Sequence, residues 1–243
     1  MTRQSQIIFC GDIHGNWKYI NALINKKHPE IVLVAGDWGW WINFHNKTGF
    51  YTDAYGDVTS KKWNQFGTKP NNTKIYWVPG NHENHDDLAK YTSITELEPN
   101  IFYCPFGTVL TLPTGEKVLM VGKALSTDQE DRIEGVDWWR NETIDQSDMD
   151  KLTDIWDMNI DVVISHTIPR TFMKDVQWEW YKERFNDQST VALDIIFKHF
   201  KPRVWYSGHF HHYIERQIQG CHWISLDRCD NQNVWWKYHE NNS

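Results

Sequence analysis

The sequence predicts an α/β fold made of two packed mixed β-sheets flanked by helices. In the first part of the chain, apolar strands alternate with an amphipathic helix, which is typical of parallel βαβ units. After Pro99, short apolar runs separated by turn residues indicate antiparallel strands. Since the 243 residues contain no stretch that resembles a linker or a repeat, we expect a single domain over residues 1–243.

The first part of the chain supplies three predicted strands. Residues 7–10 and 31–35 are continuous apolar runs of the kind that is buried on both faces of a parallel sheet, and residues 75–78 form a third run. A helix with one apolar side is predicted between the first two, from the spacing of Trp17, Ile20, Leu23 and Ile24. We expect a short helix over 86–91. The polar and aromatic stretch 43–73 is predicted to be mostly loop, with a helical turn or two over 61–66.

The second part of the chain is predicted to start with a β-meander over 101–121, with a hairpin turn at Thr114-Gly115. Ser147 followed by Asp150 resembles a capping box and predicts a helix that runs to about Met158. The remaining elements are predicted as a strand over 161–165, a helix over 190–200, a strand over 204–207, and closing antiparallel strands over 213–218, 222–226 and 234–238.

Five of the predicted strands end at side chains that bind metals. A lone Asp after a strand is usually a cap or a turn residue, and a lone buried His is usually a hydrogen-bonded core residue. Independent structural residues have no reason to recur at five strand ends, so the set favours one shared site at the carboxyl edge of the sheets. The candidate ligands are Asp12, His14, Asp37, Asn81, His166, His209 and His211.

Seven nitrogen and oxygen ligands without cysteine suit a pair of borderline metals. We expect two divalent or trivalent ions, with Mn favoured in vitro and Fe, Zn or Ni as alternatives. Asp37 is the natural bridge between two three-ligand sets. Two ions about 3.5–4 Å apart clamp a phosphoryl group and hold a hydroxide between them as the nucleophile. His82 follows a candidate ligand and is placed to donate a proton to the leaving group.

These motifs resemble, in order, the five motifs of the calcineurin-like metallophosphoesterases, and they cover most of the chain. The family fold is a sandwich of two mixed sheets flanked by helices. The resemblance implies that Asp12, His14, Asp37 and His211 hold one metal, and that Asp37, Asn81, His166 and His209 hold the other. It also gives His82 the role of the acid. The matching segments are Asp12-Ile13-His14, Gly36-Asp37, Gly80-Asn81-His82-Glu83, His166 and Gly208-His209-Phe210-His211.

The sequence departs from the family's protein Ser/Thr phosphatases, in which an Asp-Arg pair soon after the second motif grips phosphate. Here Asp37 is followed by Trp38-Gly39-Trp40-Trp41. A later block, from Ser126-Thr127-Asp128 through Arg132 to Trp138-Trp139, is similar to a segment of small bacterial and phage metallophosphoesterases, although Lys123 stands where Gly is expected.

The missing Asp-Arg pair leaves a need for another cation. Arg132 offers bidentate donors to phosphate, although an ion pair with a nearby acidic residue is the alternative fate of its side chain. We expect Arg132, Asn81 and Trp38 to bind substrate, with Trp38, Trp40, Trp138 or Trp139 as an apolar wall.

Composition limits the partners. The net charge of −7 argues against broad duplex-DNA binding, so nucleic acid is expected only as a substrate. No apolar run reaches membrane-spanning length and no signal peptide is apparent, so we expect a cytoplasmic protein with free thiols. The sequence does not indicate any protein partner.

Three functions compete. The leading one is a hydrolase of phosphomonoesters or phosphodiesters, whose substrate is a phosphate ester. A nuclease is the second, and the acidic balance and the lack of a nuclease-type capping domain speak against it. A non-catalytic interaction module of the same fold is the third. The complete ligand set and His82 argue against such a module, and metal content after purification separates it from an enzyme.

Overall fold

A computed structural model describes residues 6–40, 51–52, 58–60, 72–175 and 187–240 of the chain. Two six-stranded sheets form the body of this part, and a separate two-stranded ribbon pairs β3 (Tyr51–Thr52) with β4 (Val58–Ser60). The predicted sandwich of mixed sheets is confirmed. The helical turns predicted for 61–66 lie outside the described residues.

The first sheet has four parallel strands in its middle and an antiparallel strand at each edge. Its strands run across the sheet in the order β14-β1-β2-β5-β7-β6. They are β1 (Ile7–Cys10), β2 (Ile31–Val34), β5 (Lys74–Trp77), β6 (Thr95–Glu98), β7 (Ile101–Tyr103) and β14 (Trp236–Tyr238).

The second sheet repeats this plan, with four parallel strands between two antiparallel edges. Its order is β12-β13-β11-β10-β9-β8. The strands are β8 (Thr108–Thr111), β9 (Lys117–Val121), β10 (Val162–Ser165), β11 (Val204–Ser207), β12 (Ile214–Ile218) and β13 (Cys221–Ser225).

Alternation along the strands explains why both faces of each sheet are buried. Successive side chains of a strand point to opposite faces. In β1, Ile7 and Phe9 belong to a cluster that also contains Ile164 and Tyr206 of the second sheet, so this cluster fills the space between the sheets. Ile8 of the same strand instead joins a cluster with the apolar side of a helix. The continuous apolar runs in the sequence follow from this double burial.

Helices cover the outer faces. The first sheet is covered by α1 (Trp17–Lys27), whose Ile20 and Leu23 are buried. The helix α4 (Gln188–Phe200) covers the second sheet, and the Asp187 side chain caps it by accepting from the Ser189 N–H at 2.6 Å. Two shorter helices are α2 (His85–Leu88) and α3 (Gln146–Asp150). No helix of the described residues is long and apolar enough to cross a membrane.

The predicted β-meander is wrong. Its first run, β7, pairs in parallel with β5 in the first sheet, whereas β8 and β9 form a hairpin in the second sheet. The turn residues between them mark a crossing from one sheet to the other, which a turn signal does not distinguish from a hairpin. The hairpin turn itself is confirmed, with Gly115 at a φ of +89°.

Two further predictions of local structure are corrected. The helix predicted from Ser147 to Met158 is only the short α3, and its cap is Asp145, which forms a capping box with Asp148, rather than Ser147. Residues 153–155 form a separate 3-10 helix. The strand β13 is antiparallel to β12 but parallel to β11. The prediction of free thiols is confirmed, since all four cysteines are buried and unpaired.

Candidate metal centre

The seven predicted ligands follow the carboxyl ends of five parallel strands. The first sheet contributes from β1, β2 and β5, and the second contributes from β10 and β11. All of these strands are central in their sheets. The structure therefore brings the strand ends of both sheets to one place, with five of the seven side chains buried and His209 and His211 half-buried.

Four of the predicted ligands form a compact group. Asp12, His14, Asp37 and His211 each offer a ligand atom, and these atoms all lie within 4.8 Å of one another. His211 Nε2 is 3.1 Å from Asp12 Oδ2 and 3.0 Å from His14 Nε2. His14 Nε2 is 3.4 Å from Asp37 Oδ2. This is the set that the resemblance assigns to one metal.

The second group meets the first at Asp37. His166 Nε2 lies 3.3 Å from Asp37 Oδ2 and 3.0 Å from Asn81 Oδ1. The His209 ring packs edge-on against the His166 ring, with 4.8 Å between their centres. Asp37 thus contacts both groups through the same oxygen, as a bridging carboxylate would.

The donor atoms of this site fit a cation. His166 Nδ1 donates a hydrogen bond to the Ala35 carbonyl at 2.8 Å, so in neutral His166 the Nε2 atom carries a lone pair. That lone pair faces two oxygen atoms, which repel it unless a cation lies among them. Burial alone would lower the pKa of His166, but Asp37 outweighs burial and raises that pKa to about 9. A metal ion among these oxygen and nitrogen atoms would supply the positive charge that a protonated His166 otherwise provides.

The electrostatics of Asp37 point the same way. Burial would raise the pKa of this carboxyl, yet interactions led by that with the neighbouring His166, whose own pKa is raised, outweigh burial and hold it well below its usual range. Burial lowers the pKa of His14 well below its usual range, so His14 is a neutral imidazole with a lone pair to offer. The buried His14 Nδ1 has no hydrogen-bond partner among the described residues.

Four of the nine described non-glycine residues with a positive φ are predicted ligands. His14, Asp37, His209 and His211 all have a positive φ, between 41° and 70°. Residues other than glycine seldom adopt this left-handed conformation, and its cost is about 1–3 kcal/mol where it is imposed. Four of the seven predicted ligands are therefore held by the surrounding fold in conformations that they would not adopt alone.

Glycines beside the ligands leave room for them. A Cβ atom on Gly36 would lie 2.2 Å from His166 Nδ1, and one on Gly80 would lie 2.1 Å from Asp37 Oδ1. A Cβ on Gly208 would lie 2.0 Å from Asp12 Oδ1. The glycine that precedes each of these motifs is required by close approach of a ligand from another strand.

His82 lies beside Asp37. Its backbone N–H donates to Asp37 Oδ1 at 3.0 Å, and its Nε2 is 4.0 Å from Asp37 Oδ2. Arg132 Nη2 donates to the same Nε2 at 3.2 Å. Burial, helped by Arg132 and opposed by Asp37, lowers the pKa of His82 to about 4. In this arrangement His82 is neutral, with its Nε2 turned toward the site.

Arg132 forms one of the two contacts considered for it from the sequence. It forms the ion pair with Asp128, at 2.7 Å, that its charged neighbourhood predicts. It is nevertheless not a surface residue, since only 3% of its side chain is exposed and its guanidinium reaches His82. It therefore lies where a phosphate held beside His82 would contact it.

Three of the four tryptophans expected as an apolar wall are buried, and Trp138 is half-buried. Trp38 is fully buried in the core of the first sheet, with its ring between those of Trp17 and Trp77 at 6.5 and 6.1 Å. Trp40 and Trp139 are also buried, at 3% and 2% exposure. Trp38 follows a buried strand directly and continues its apolar packing, so its ring is not a surface on which a substrate stacks.

Three residues with roles at the site were not singled out from the sequence. Glu83 accepts hydrogen bonds from the N–H groups of Gly39 and Gly80, at 2.8 and 2.5 Å, and so ties together two ligand loops. Ser126 and Glu142 are buried behind Asn81. Glu83 and Ser126 lie in segments that carry the resemblance, which is a usable signal. Glu142 has no signal of this kind.

Lys123, which stands where glycine is expected, adopts a backbone conformation typical of glycine. Its φ is 77°, a conformation that glycine adopts freely. Its ammonium group donates to the buried Asp148 carboxylate at 2.6 Å. The backbone shape is thus the one that a glycine would give, and the side chain is held against α3.

The double sheet and the histidine and carboxylate cluster at its carboxyl edge agree with the phosphoesterase class that the sequence motifs resemble. The model of the calcineurin-like phosphoesterase family matches residues 5–213, and the chain belongs to this family. No curated protein sequence matches the chain.

Solved structures share the fold at low sequence identity. One is phosphopantetheinyl hydrolase (PptH) from Mycobacterium tuberculosis, which is 13% identical, with 98% of this chain and 97% of that chain covered and a TM-score of 0.51. Another is the protein TT1561 of Thermus thermophilus, which is 11% identical, with 93% of this chain and 91% of that chain covered and a TM-score of 0.50. At these identities the likeness concerns the fold alone.

Proposed function

We propose that this chain is a dinuclear metal-dependent hydrolase of phosphate esters. The observation that carries the proposal is the convergence of the predicted ligand side chains on Asp37, from the strand ends of both sheets. When bound, two ions supply positive charge to the phosphoryl oxygens and a water molecule of lowered pKa. Manganese is the first ion to test, because the ligands are nitrogen and oxygen atoms without thiolate.

The ligands divide at Asp37. Asp12, His14 and His211 would hold one ion together with Asp37, as their mutual distances favour. Asn81, His166 and His209 would hold the other, again together with Asp37. In this second set, the Ala35 carbonyl fixes the His166 ring with Nε2 toward the ligand atoms.

His82 would donate the proton that the leaving group needs. Its Nε2 is turned toward Asp37 and is held by Arg132, which donates to it. A phosphate ester bound there offers Arg132 a new acceptor and adds the negative charge that favours a protonated His82. Arg132 and Asn81 would then bind the phosphoryl oxygens while His82 faces the leaving oxygen.

The proposed function is tested with a substrate panel. The chain loaded with Mn²⁺ is assayed on an aryl phosphomonoester, an aryl phosphodiester, cyclic nucleotides and single-stranded DNA. We expect turnover of at least one phosphate ester that stops when the metal is chelated. A chain that holds two metals and hydrolyses none of these compounds contradicts the proposal.

The acid is tested in the same assay with His82→Ala. General acid catalysis contributes about 10²–10⁴-fold, and most for poor leaving groups, so alkyl phosphate hydrolysis should fall more than nitrophenyl phosphate hydrolysis. His222→Ala is the matched control, because His222 lies near the start of β13, at the opposite edge from the site. An equal loss for both esters would argue against proton donation by His82.

A further inference from the structure

A chain of hydrogen bonds leads away from the site through residues that carry no predicted role. Asn81 Nδ2 donates to Ser126 Oγ at 3.1 Å, and Ser126 Oγ donates to Glu142 Oε2 at 2.9 Å. The Ser126 N–H donates to Glu142 Oε1 at 2.7 Å. Arg132 Nη1 also donates to Ser126 Oγ, at 3.3 Å. Ser126 and Glu142 are buried, with 3% and 0% of their surface exposed.

The Ser126 hydroxyl is fully used in this arrangement. A serine hydroxyl has one proton to donate and two lone pairs that accept. Asn81 and Arg132 donate to the lone pairs, so the proton must go to Glu142. Burial raises the pKa of Glu142 to about 6, which leaves it ionised and able only to accept at neutral pH. Glu142 therefore sets the direction in which the Ser126 hydroxyl points.

The direction of the hydroxyl decides which end of the Asn81 amide faces the site. Because Ser126 Oγ accepts from Asn81 Nδ2, the amide oxygen lies on the other side, 3.0 Å from His166 Nε2. If the hydroxyl proton pointed at Asn81 instead, the amide would turn over to accept it. Its NH₂ group would then face His166, and an NH₂ group does not bind a metal ion.

We propose that Glu142 is a positioning residue that acts through Ser126, holding Asn81 as an oxygen ligand and Arg132 beside His82. This inference rests on the proposed function, since it assumes that Asn81 binds a metal. The hydrogen bonds that the structure gives the Glu142 carboxylate come from Ser126 and Gln129, so its hydrogen-bonded path to Asn81 runs through Ser126. It lies in the 3-10 helix Arg140–Glu142, far along the chain from Asn81.

The variant Glu142→Gln tests the inference. Its amide oxygen stays where the Ser126 N–H and Gln129 both donate, which leaves its NH₂ group facing Ser126 Oγ. Ser126 Oγ would then face three donors for two lone pairs. We expect one of the two Mn²⁺ ions to bind about 10–100-fold more weakly, while the other is unchanged. The measurement is a Mn²⁺ titration of the chain stripped of metal, followed by elemental analysis.

A double-mutant cycle separates positioning from folding. Ser126→Ala removes the hydroxyl and should weaken the same Mn²⁺ ion, and Glu142→Gln should add nothing in that background, because its effect passes through Ser126. Gln129→Ala is the matched control. It removes the other side chain that donates to Glu142, at 2.7 Å, without touching Asn81, and should leave both Mn²⁺ affinities unchanged.

The outcomes distinguish the two proposals. If the unmodified chain fails to bind two Mn²⁺ ions, the proposed function fails. If it binds two ions and Glu142→Gln binds both with unchanged affinity, the proposed function stands and the inference is overturned. Equal and additive losses from Ser126→Ala and Glu142→Gln also overturn it, because Glu142 would then act by a route other than Ser126.

Discussion

At the scale of single residues, the carboxylate of Asp37 contacts both groups of candidate ligands. Its Oδ2 lies 3.4 Å from His14 Nε2 and 3.3 Å from His166 Nε2, and its Oδ1 accepts from the His82 N–H. Its own backbone has a φ of 41°. The position of this carboxylate therefore depends on the backbone around it. Gly80, in the next motif, lies so close that it has no room for a side chain beside Asp37 Oδ1.

Gly80→Ala should therefore damage the metal site. The added Cβ would lie 2.1 Å from Asp37 Oδ1 and 2.6 Å from His166 Nε2, so both side chains must move. Overpacking of this kind costs about 1–3 kcal/mol of stability. We expect fewer than two metals per chain by elemental analysis, together with a lower temperature of thermal unfolding.

Gly115→Ala is the control for the effect of the backbone alone. Gly115 has a φ of +89°, and a Cβ there meets nothing within 4 Å. The alanine should cost about 1–3 kcal/mol through strain at a positive φ, with metal content unchanged. If Gly80→Ala keeps two metals while Gly115→Ala destabilises the chain, close approach at Gly80 does not shape the site.

At the scale of elements, edge strands tie the two sheets together away from the site. Glu215 on β12 of the second sheet accepts from Lys237 on β14 of the first sheet, at 2.8 Å. The same carboxylate accepts from His222 at 2.8 Å and from Tyr213. Partial burial alone would raise the pKa of Glu215, but the bonds from Lys237 and Tyr213 outweigh it and lower that pKa to about 2.

Glu215→Gln should make the chain less stable at neutral pH and less sensitive to acid. The pKa of Glu215 is lowered from 4.5, so its stabilisation is present above pH 4.5 and is lost as the pH falls toward 2. Since one third of the side chain is exposed, the contribution should be only about 0.5–1 kcal/mol. Denaturant unfolding of both proteins at pH 7 and pH 3 measures it.

Glu30→Gln, at an exposed position before β2, is the control for loss of a negative charge. Its unfolding free energy should match that of the unmodified chain at both values of pH. A stability gap between Glu215→Gln and the unmodified chain that stays constant from pH 7 to pH 3 contradicts the assigned role of Glu215.

The elements that the sequence predicted well are those that a short local run of apolar residues reveals. The strands β1, β2, β10 and β11 are buried at every residue and almost entirely apolar, because both faces of each central strand are covered. The meander failed because turn residues do not say in which sheet the next strand pairs. The helix predicted at Ser147 was given the wrong start, because the Asp145 side chain rather than that of Ser147 caps it.

On the scale of the whole molecule, two sheets of the same plan share one carboxyl edge, and the site lies there. Ligand residue types recurring after apolar runs were enough to predict that these side chains come together. The burial of Trp38 and the path from Asn81 to Glu142 were not predictable, since they depend on which segments pack behind the ligand loops. Tertiary packing of this kind leaves no periodic signal in the sequence.

The most direct test of the dinuclear site is the metal content and turnover of the unmodified chain and of Asp37→Asn, measured on the same preparations. We expect two Mn²⁺ ions per unmodified chain and phosphate-ester hydrolysis that is lost on chelation. Asp37→Asn should lose metal and turnover together, because both ligand groups meet at this carboxylate. An Asp37→Asn chain that keeps two metals and full activity would contradict the bridging role on which the proposed function rests.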